Sequence, residues 1–97
     1  MATYFLIENS TSQGLASIKN APERAGSVVE LAKSFGVEVI EWFFTVGPFD
    51  YIMKLEAPDD ESVAAFRLAI GSKGVVTVQS LRAFTPDEWA AIISRIP

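Results

Sequence analysis

Residues 37–56 read VEVIEWFFTVGPFDYIMKLE, and this stretch decides the fold. Two runs of apolar, β-favouring residues flank the tetrad Gly47-Pro48-Phe49-Asp50. In such a tetrad Pro fixes its own φ angle, and Gly tolerates φ values that other residues avoid. This combination is typical of a turn. The pattern therefore predicts an antiparallel hairpin with strands over residues 37–46 and 51–56.

The first strand of this hairpin carries bulky side chains on both faces. Strict alternation places Val39, Glu41 and Phe43 on one face of the strand. It places Ile40, Trp42 and Phe44 on the other face. Since both sets are bulky, both faces of the strand are expected to be covered.

Outward from the hairpin, the chain alternates between helical and extended patterns. Residues 3–8 predict a strand with Thr3, Phe5 and Ile7 on one face and Tyr4 and Leu6 on the other, and residues 75–84 predict a fourth strand. A helix is expected from Ala21, with Pro22 at its first position and Gly36 as its left-handed cap. Its apolar stripe recurs at helical spacing: Val28, Leu31, Ala32 and Phe35.

Two further helices follow the same rules. Residues 57–61 open one of them with acidic side chains at the positive end of the helix dipole, and its stripe is Val63, Phe66 and Ile70. Thr85 and Glu88 form a capping box before a short third helix with Trp89, Ile92, Ile93 and Ile96 on one side. Residues 13–18 predict only a short helical turn.

The resulting order, β-α-β-β-α-β-α, predicts one domain over residues 1–97. Its fold class is α+β: a ferredoxin-like split β-α-β with a four-stranded antiparallel sheet and an extra short C-terminal helix. Right-handed crossovers place both long helices on one face of the sheet, which leaves the other face bare. The residues considered for that bare face are alternate members of the strands: Tyr4, Trp42, Phe44, Tyr51, Met53 and Leu81. Since such residues should not remain in water, a second copy is expected to cover them as a dimeric α/β barrel.

Composition excludes several classes of function. The chain has no Cys and no His, which removes thiol catalysis, the Ser-His triad and the commonest zinc and haem ligands. The net charge of −4, with scattered basic residues, argues against nucleic acid and against an anionic membrane surface as partners. No signal peptide or membrane span is evident, so a cytoplasmic location is expected, with no metal and no cofactor.

Several motifs resemble the GYD domain family. They are residues 11–14, 18–24, 45–50 and 56–61 and the ending Leu81-Arg82-Ala83-Phe84-Thr85, in the family's order and spacing. The resemblance implies a ferredoxin-like fold close to the dimeric α/β barrel proteins, whose members include cofactor-free oxygenases, haem-degrading enzymes, lactone isomerases and effector-binding domains. The family's Gly-Tyr-Asp signature is matched by Gly47, Phe49 and Asp50. Because Phe49 lacks the phenol hydroxyl, any role that needs that hydroxyl is in doubt here.

Three groups of residues are candidates for ligand binding. Gly47, Phe49 and Asp50 would place a carboxylate at the mouth of a barrel pocket, although Asp50 is more simply explained as a turn residue that hydrogen-bonds its own backbone. A second group, Tyr4, Trp42, Tyr51 and Arg82, would form an aromatic cavity with one cation for a planar apolar molecule. The alternative for this group is a packed dimer core in which Arg82 pairs with a carboxylate.

Asn9 is the third candidate, as a residue at the strand end that orients a ligand oxygen or simply caps a turn. Two other motifs are assigned structural roles. Asp59-Asp60-Glu61 suits a helix start better than a cation site. Gly71-Ser72-Lys73-Gly74 lacks phosphate-loop spacing and predicts a helix-to-strand turn.

Three functions remain open on this sequence. The first is a small-molecule-binding or sensing module of a homo-oligomer, which needs neither His nor Cys. The second is a cofactor-free oxygenase or isomerase, whose base would be Asp50 or Glu41 with a pKa raised by burial. The third is a structural assembly protein without a ligand. Whether the chain is an enzyme, and which ligand it takes, are left open.

Overall fold

Four strands and four α-helices make up the protein, whose computed structural model describes residues 1–97 throughout. The strands are β1 (Ala2–Ser10), β2 (Glu38–Phe44), β3 (Tyr51–Ala57) and β4 (Val76–Ala83). The helices are α1 (Ser12–Ala16), α2 (Ala21–Ser34), α3 (Asp60–Gly71) and α4 (Pro86–Ile93). A 3-10 turn, Ile18–Asn20, joins α1 to α2.

The sheet is antiparallel throughout, with strand order β2-β3-β1-β4. The hairpin of β2 and β3 therefore forms one side of the sheet, and the crossover helices α2 and α3 return the chain to it. This arrangement confirms the α+β class, the four-stranded antiparallel sheet and the C-terminal helix that the sequence predicts.

The core lies between the sheet and the two crossover helices. Leu6, Met53 and Leu55 from the strands and Phe66 from α3 are fully buried there. Phe66 also packs against Phe35 of α2, with ring centroids 6.3 Å apart. Because these residues all come from one sheet face and the two helices, both helices cover the same face.

Helix ends follow the predicted capping chemistry closely. The Thr85 side chain accepts a hydrogen bond from Glu88 N, and the Glu88 carboxylate accepts one from Thr85 N, which completes the capping box of α4. Gly36 adopts φ +72° after α2, as its role as a left-handed cap requires. Pro22 is the second residue of α2 and not the first, because Ala21 already has helical geometry.

One prediction about β2 is wrong. A bulge between Val39 and Glu41 leaves Ile40 without a partner on β3. Val39 therefore lies opposite Leu55, on the face that the helices cover, and not with Glu41 and Phe43. An extra residue in one strand reverses which face the side chains before it occupy, relative to those after it. A pattern of strict alternation in the sequence does not reveal such a bulge.

The face of the sheet away from the helices is uncovered. We call it the open face, and its apolar centre consists of Phe5, Ile7, Phe43, Ile52 and Leu81. Phe43 is 57% exposed and Leu81 is 48% exposed. Of the six residues considered for this face, only Leu81 lies on it, since Tyr4, Trp42, Phe44, Tyr51 and Met53 belong to the helix-covered set.

Candidate ligand pocket between helix α2 and the sheet

A pocket of about 680 Å³ opens where the start of α2 meets the sheet. Its floor is formed by side chains of the strands, and its walls come from the 3-10 turn, the first turns of α2 and the end of α3. The strand residues of the floor are Glu8, Trp42, Phe44, Tyr51 and Val76. The volume lies within the range of roughly 300–1,000 Å³ that small-molecule sites occupy, and most lining residues are apolar.

One wall of the pocket includes Val75, and the backbone of α1 packs closely against this residue. Thr11 caps α1 by accepting a hydrogen bond from Gly14 N at 3.1 Å, and its hydroxyl donates to Gly74 O at 2.6 Å. Thr11 N also donates to Val75 O at 3.0 Å. Gly14 then lies so close to Val75 O that a Cβ atom would collide with it. The segment that precedes α2 is therefore fixed against the start of β4.

Glu8 is the only charged residue in the buried core, with 3% of its surface exposed. Its Oε2 atom is buried without a hydrogen-bond partner, and the side chain lines the pocket. Burial in these apolar surroundings raises the pKa of Glu8 from 4.5 to about 7. The carboxyl group is therefore divided between its protonated and ionised forms near neutral pH.

Trp42, which lines the same pocket, carries a second buried polar group without a partner. Its indole Nε1–H is buried and donates to no atom of the protein. A buried indole N–H without an acceptor costs free energy, so such groups are normally paired. Glu8 and Trp42 thus each bring a buried polar group without a partner to a pocket whose lining is mostly apolar.

The predicted site residues divide between this pocket and other places. Trp42 and Tyr51 line the pocket. Tyr4 and Arg82 lie on the same sheet face but border a smaller cleft, where the Tyr4 hydroxyl donates to the Asp60 carboxylate. Arg82 lies 5.5 Å from the Tyr4 ring centroid and 3.6 Å from the Glu88 carboxylate. The four residues thus do not form one cavity on the open face.

The turn residues line neither cavity. Asp50 does not hydrogen-bond the backbone of its own turn through its side chain; its Oδ2 accepts from Ser10 N at 2.7 Å. Asp50 N donates to Glu8 O at 2.9 Å, so this residue ties the hairpin to the end of β1 beside the pocket floor. Gly47 is exposed, and the Phe49 carbonyl accepts a hydrogen bond from the Thr45 hydroxyl. Asn9 is the next-to-last residue of β1 and lies on the open face, opposite Thr77.

Sequence reasoning missed Glu8, Arg24 and Lys73, although the sequence carries a signal for Glu8. Tyr4 and Leu6 share one face of the predicted first strand, and the same alternation places Glu8 on that face, which the helices cover. Arg24 and Lys73 line the pocket because the start of α2 and the loop after α3 converge, and no local pattern encodes that convergence. The carboxyl group whose pKa burial raises is that of Glu8, which the sequence did not single out.

No group of three or more metal-ligating side chains comes together in the structure. No helix combines the length and the hydropathy that a membrane crossing requires.

The fold and the pocket define an α+β domain with a split β-α-β sheet and a cavity beneath one crossover helix. The chain belongs to the GYD domain family, whose model matches residues 4–93. It is also 33% identical over 84 residues to a Thermus thermophilus protein named glutamine synthetase and cystathionine beta-lyase binding protein. That alignment covers 86% of this chain and 88% of the relative.

Proposed function

We propose that this chain is a small-molecule-binding domain that acts as a homodimer. One observation carries the binding role: Glu8 and Trp42, which both line the pocket, each have a buried polar atom, Oε2 and Nε1 respectively, that no protein atom satisfies. A ligand with a matching donor and acceptor would remove both penalties at once. A pocket whose purpose was packing alone would bury apolar atoms there instead.

Trp42 provides a direct test of this binding role. The chain has two tryptophans, so the variant Trp89→Phe leaves a single indole N–H signal in a ¹⁵N–¹H correlation spectrum. A fragment library of neutral, acidic and basic molecules should contain binders that shift the Trp42 indole signal. Native mass spectrometry of gently purified protein should also show a bound mass that denaturation removes.

A blocked pocket supplies the control for this experiment. Ala25 lines the pocket, and Ala25→Phe should fill it and abolish the indole shifts. Ser34→Phe places the same ring at an exposed position of the same helix and should leave them unchanged. If no fragment of any charge shifted the Trp42 signal in the open-pocket protein, the binding function would be wrong.

The open face supports the homodimer. Its apolar centre is surrounded by polar residues, which is the usual anatomy of a protein interface: Thr3, Asn9, Glu38, Glu41, Lys54, Glu56, Thr77 and Gln79. Two copies related by a twofold axis would cover the same patch on each other. We expect sedimentation velocity to detect a dimer at micromolar concentration. Phe43→Arg should yield a monomer, whereas Leu68→Arg, on the exposed side of α3, should not.

A proton-transfer enzyme is a second candidate function, and the pKa of Glu8 favours it. A carboxyl group with a pKa of about 7 in an apolar pocket has the properties of a general acid or base. The bound molecule identified by mass spectrometry would be incubated with the protein in D₂O. Deuterium uptake at a C–H position with the wild type, and none with Glu8→Gln, would support catalysis. No uptake with either protein would leave binding alone.

Helix α4 favours protein binding as an additional role, of the kind that the name of the Thermus relative describes. Trp89, Ile93 and Ile96 are 62%, 45% and 66% exposed, and α4 buries no residue. We expect purified glutamine synthetase or cystathionine β-lyase from the same organism to bind the wild type in surface plasmon resonance. Trp89→Ala with Ile93→Ala should lose that binding, and Leu68→Ala should retain it. Equal binding by all variants would remove α4 from this role.

A further inference from the structure

Two cations at the pocket have no carboxylate partner. Arg24 and Lys73 both line the pocket, and none of the three ion pairs of the protein includes either of them. One guanidinium nitrogen of Arg24 donates to the carbonyl and the hydroxyl of Ser17, both at 3.0 Å. This contact holds the Arg24 head beside the pocket and leaves its remaining N–H donors for another acceptor.

The charge of the pocket differs from that of the whole chain. Its charged lining residues are Glu8, Arg24 and Lys73, so it is positive by one charge when Glu8 is ionised and by two when Glu8 is protonated. The chain as a whole carries −4. A positive, apolar concavity on an acidic protein selects an anionic ligand, because low-dielectric walls concentrate the local field.

The position of Glu8 indicates which way such a ligand lies. Neither Arg24 nor Lys73 forms an ion pair with its carboxyl group. The two cations are therefore not in direct contact with Glu8. An anionic head beside Glu8 would be unfavourable, whereas an uncharged hydrogen-bonding group there would be favourable. The apolar rings of Trp42 and Phe44 also line the floor of the pocket.

We propose that the pocket takes an amphiphilic organic acid, and this inference rests on the proposed binding function. Its carboxylate lies at Arg24 and Lys73, its apolar body lies against Trp42 and Phe44, and an uncharged hydroxyl or carbonyl group at its other end reaches Glu8. The ligand thus spans from the charged side of the pocket to its buried carboxyl group.

The test compares ligands of one length that differ in charge. Decanoate, 10-hydroxydecanoate, 1-decanol and decylamine are titrated below their aggregation limits into the Trp89→Phe protein, with Trp42 fluorescence as the readout. The proposal predicts that decanoate binds at least tenfold more tightly than decanol or decylamine. The terminal hydroxyl of 10-hydroxydecanoate should improve the affinity severalfold over decanoate.

Charge-removing variants then locate the head group. Arg24→Gln with Lys73→Gln should weaken decanoate binding at least tenfold and change decanol binding by less than twofold. Lys19→Gln with Arg95→Gln removes two cations that do not line the pocket and should change neither.

Each other outcome overturns the ligand class in a recognisable way. Decanoate and decanol could bind equally well, and the Arg24 and Lys73 changes could leave both affinities unchanged. The pocket would then be a binding site, but not one for acids. Tightest binding of decylamine would assign Glu8 the role of an ionised partner for cations. If none of the four bound, the amphiphilic acid would be wrong, and the fragment screen above decides separately whether the pocket binds anything.

Discussion

Glu8 lies in a row of residues that crosses the sheet, with Val78 opposite it on one side and Tyr51 on the other. Neither of these facing residues pairs with the carboxyl group, whose Oε2 atom is buried without a hydrogen-bond partner. An ionised carboxylate in such surroundings destabilises the folded state, because water solvates it well only in the unfolded chain. This single residue should therefore make stability depend on pH.

The sign of that dependence follows from the two pKa values. Glu8 titrates at about 7 in the folded protein and near 4.5 when unfolded, so between these values the folded state binds more protons. Stability should thus fall as the pH rises through this window. The separation corresponds to about 3 kcal/mol.

Glu8→Gln should remove this loss. The variant and the wild type should be similar in stability near pH 4, and the variant should be more stable by about 3 kcal/mol near pH 8. Urea unfolding followed by circular dichroism measures both. Glu41→Gln removes the same charge from an exposed side chain that pairs with Lys54, and its effect should vary with pH by less than about 0.5 kcal/mol. A constant difference for Glu8→Gln across this range would contradict the raised pKa.

At the scale of elements, the wall of the pocket depends on a glycine. Gly14→Ala places a methyl group against Val75 O, and we expect a loss of about 1–3 kcal/mol in the free energy of unfolding. A methyl group added at Gly26, in the middle of α2, would meet no atom within 4 Å beyond the backbone of its own helix. Gly26→Ala should therefore stabilise by about 0.5–1 kcal/mol. Thermal unfolding of the two variants should shift in opposite directions.

Helix α4 should be dispensable for the fold of the rest of the chain. None of its residues is buried, although its capping box makes it a well-formed helix. Removal of residues 86–97 should change the free energy of unfolding by less than about 0.5 kcal/mol. Phe66→Ala, at a fully buried position, should cost about 3–5 kcal/mol in the same urea titration. A truncation cost comparable to that of Phe66→Ala would show that α4 belongs to the core.

The elements themselves are predictable because their signals are local. The Gly-Pro turn, the helical spacing of apolar residues and the Thr85–Glu88 capping box each act within a few residues. The pocket is predictable only in part. Trp42 and Tyr51 stand out in the sequence as aromatics on adjacent strands, but the contribution of Arg24 depends on how α2 crosses the sheet. That crossing is set by packing between distant segments, which no local pattern specifies.

At the scale of the whole molecule, the chain is more extended than its length requires. Its radius of gyration is 14.8 Å, against roughly 12.5 Å for a compact domain of this length. Its longest dimension is 52 Å and its shortest is 19 Å. Such a thin shape is expected of a single sheet with helices on one side, and it leaves large apolar side chains such as Phe43 and Leu81 exposed.

The proposed assembly through the open face would make stability depend on protein concentration. If two copies fold as a dimer, a tenfold rise in concentration should stabilise the folded state by about 1.4 kcal/mol. The midpoint of thermal unfolding should therefore rise between micromolar and submillimolar samples of the wild type. Phe43→Arg should show no such rise. A midpoint that stays constant for the wild type would contradict the homodimer.

The unpaired Ile40 in β2 has a consequence for how copies of this chain avoid one another. β2 is an outer strand of the sheet, and its free edge would otherwise offer a regular row of backbone groups to a strand from another molecule. The extra residue bends that edge and interrupts the row. Copies are thereby discouraged from adding edge to edge at β2 into fibres, whereas the proposed association through the open face would be unaffected. Deletion of Ile40 should restore a straight edge and increase thioflavin-positive aggregation on prolonged incubation.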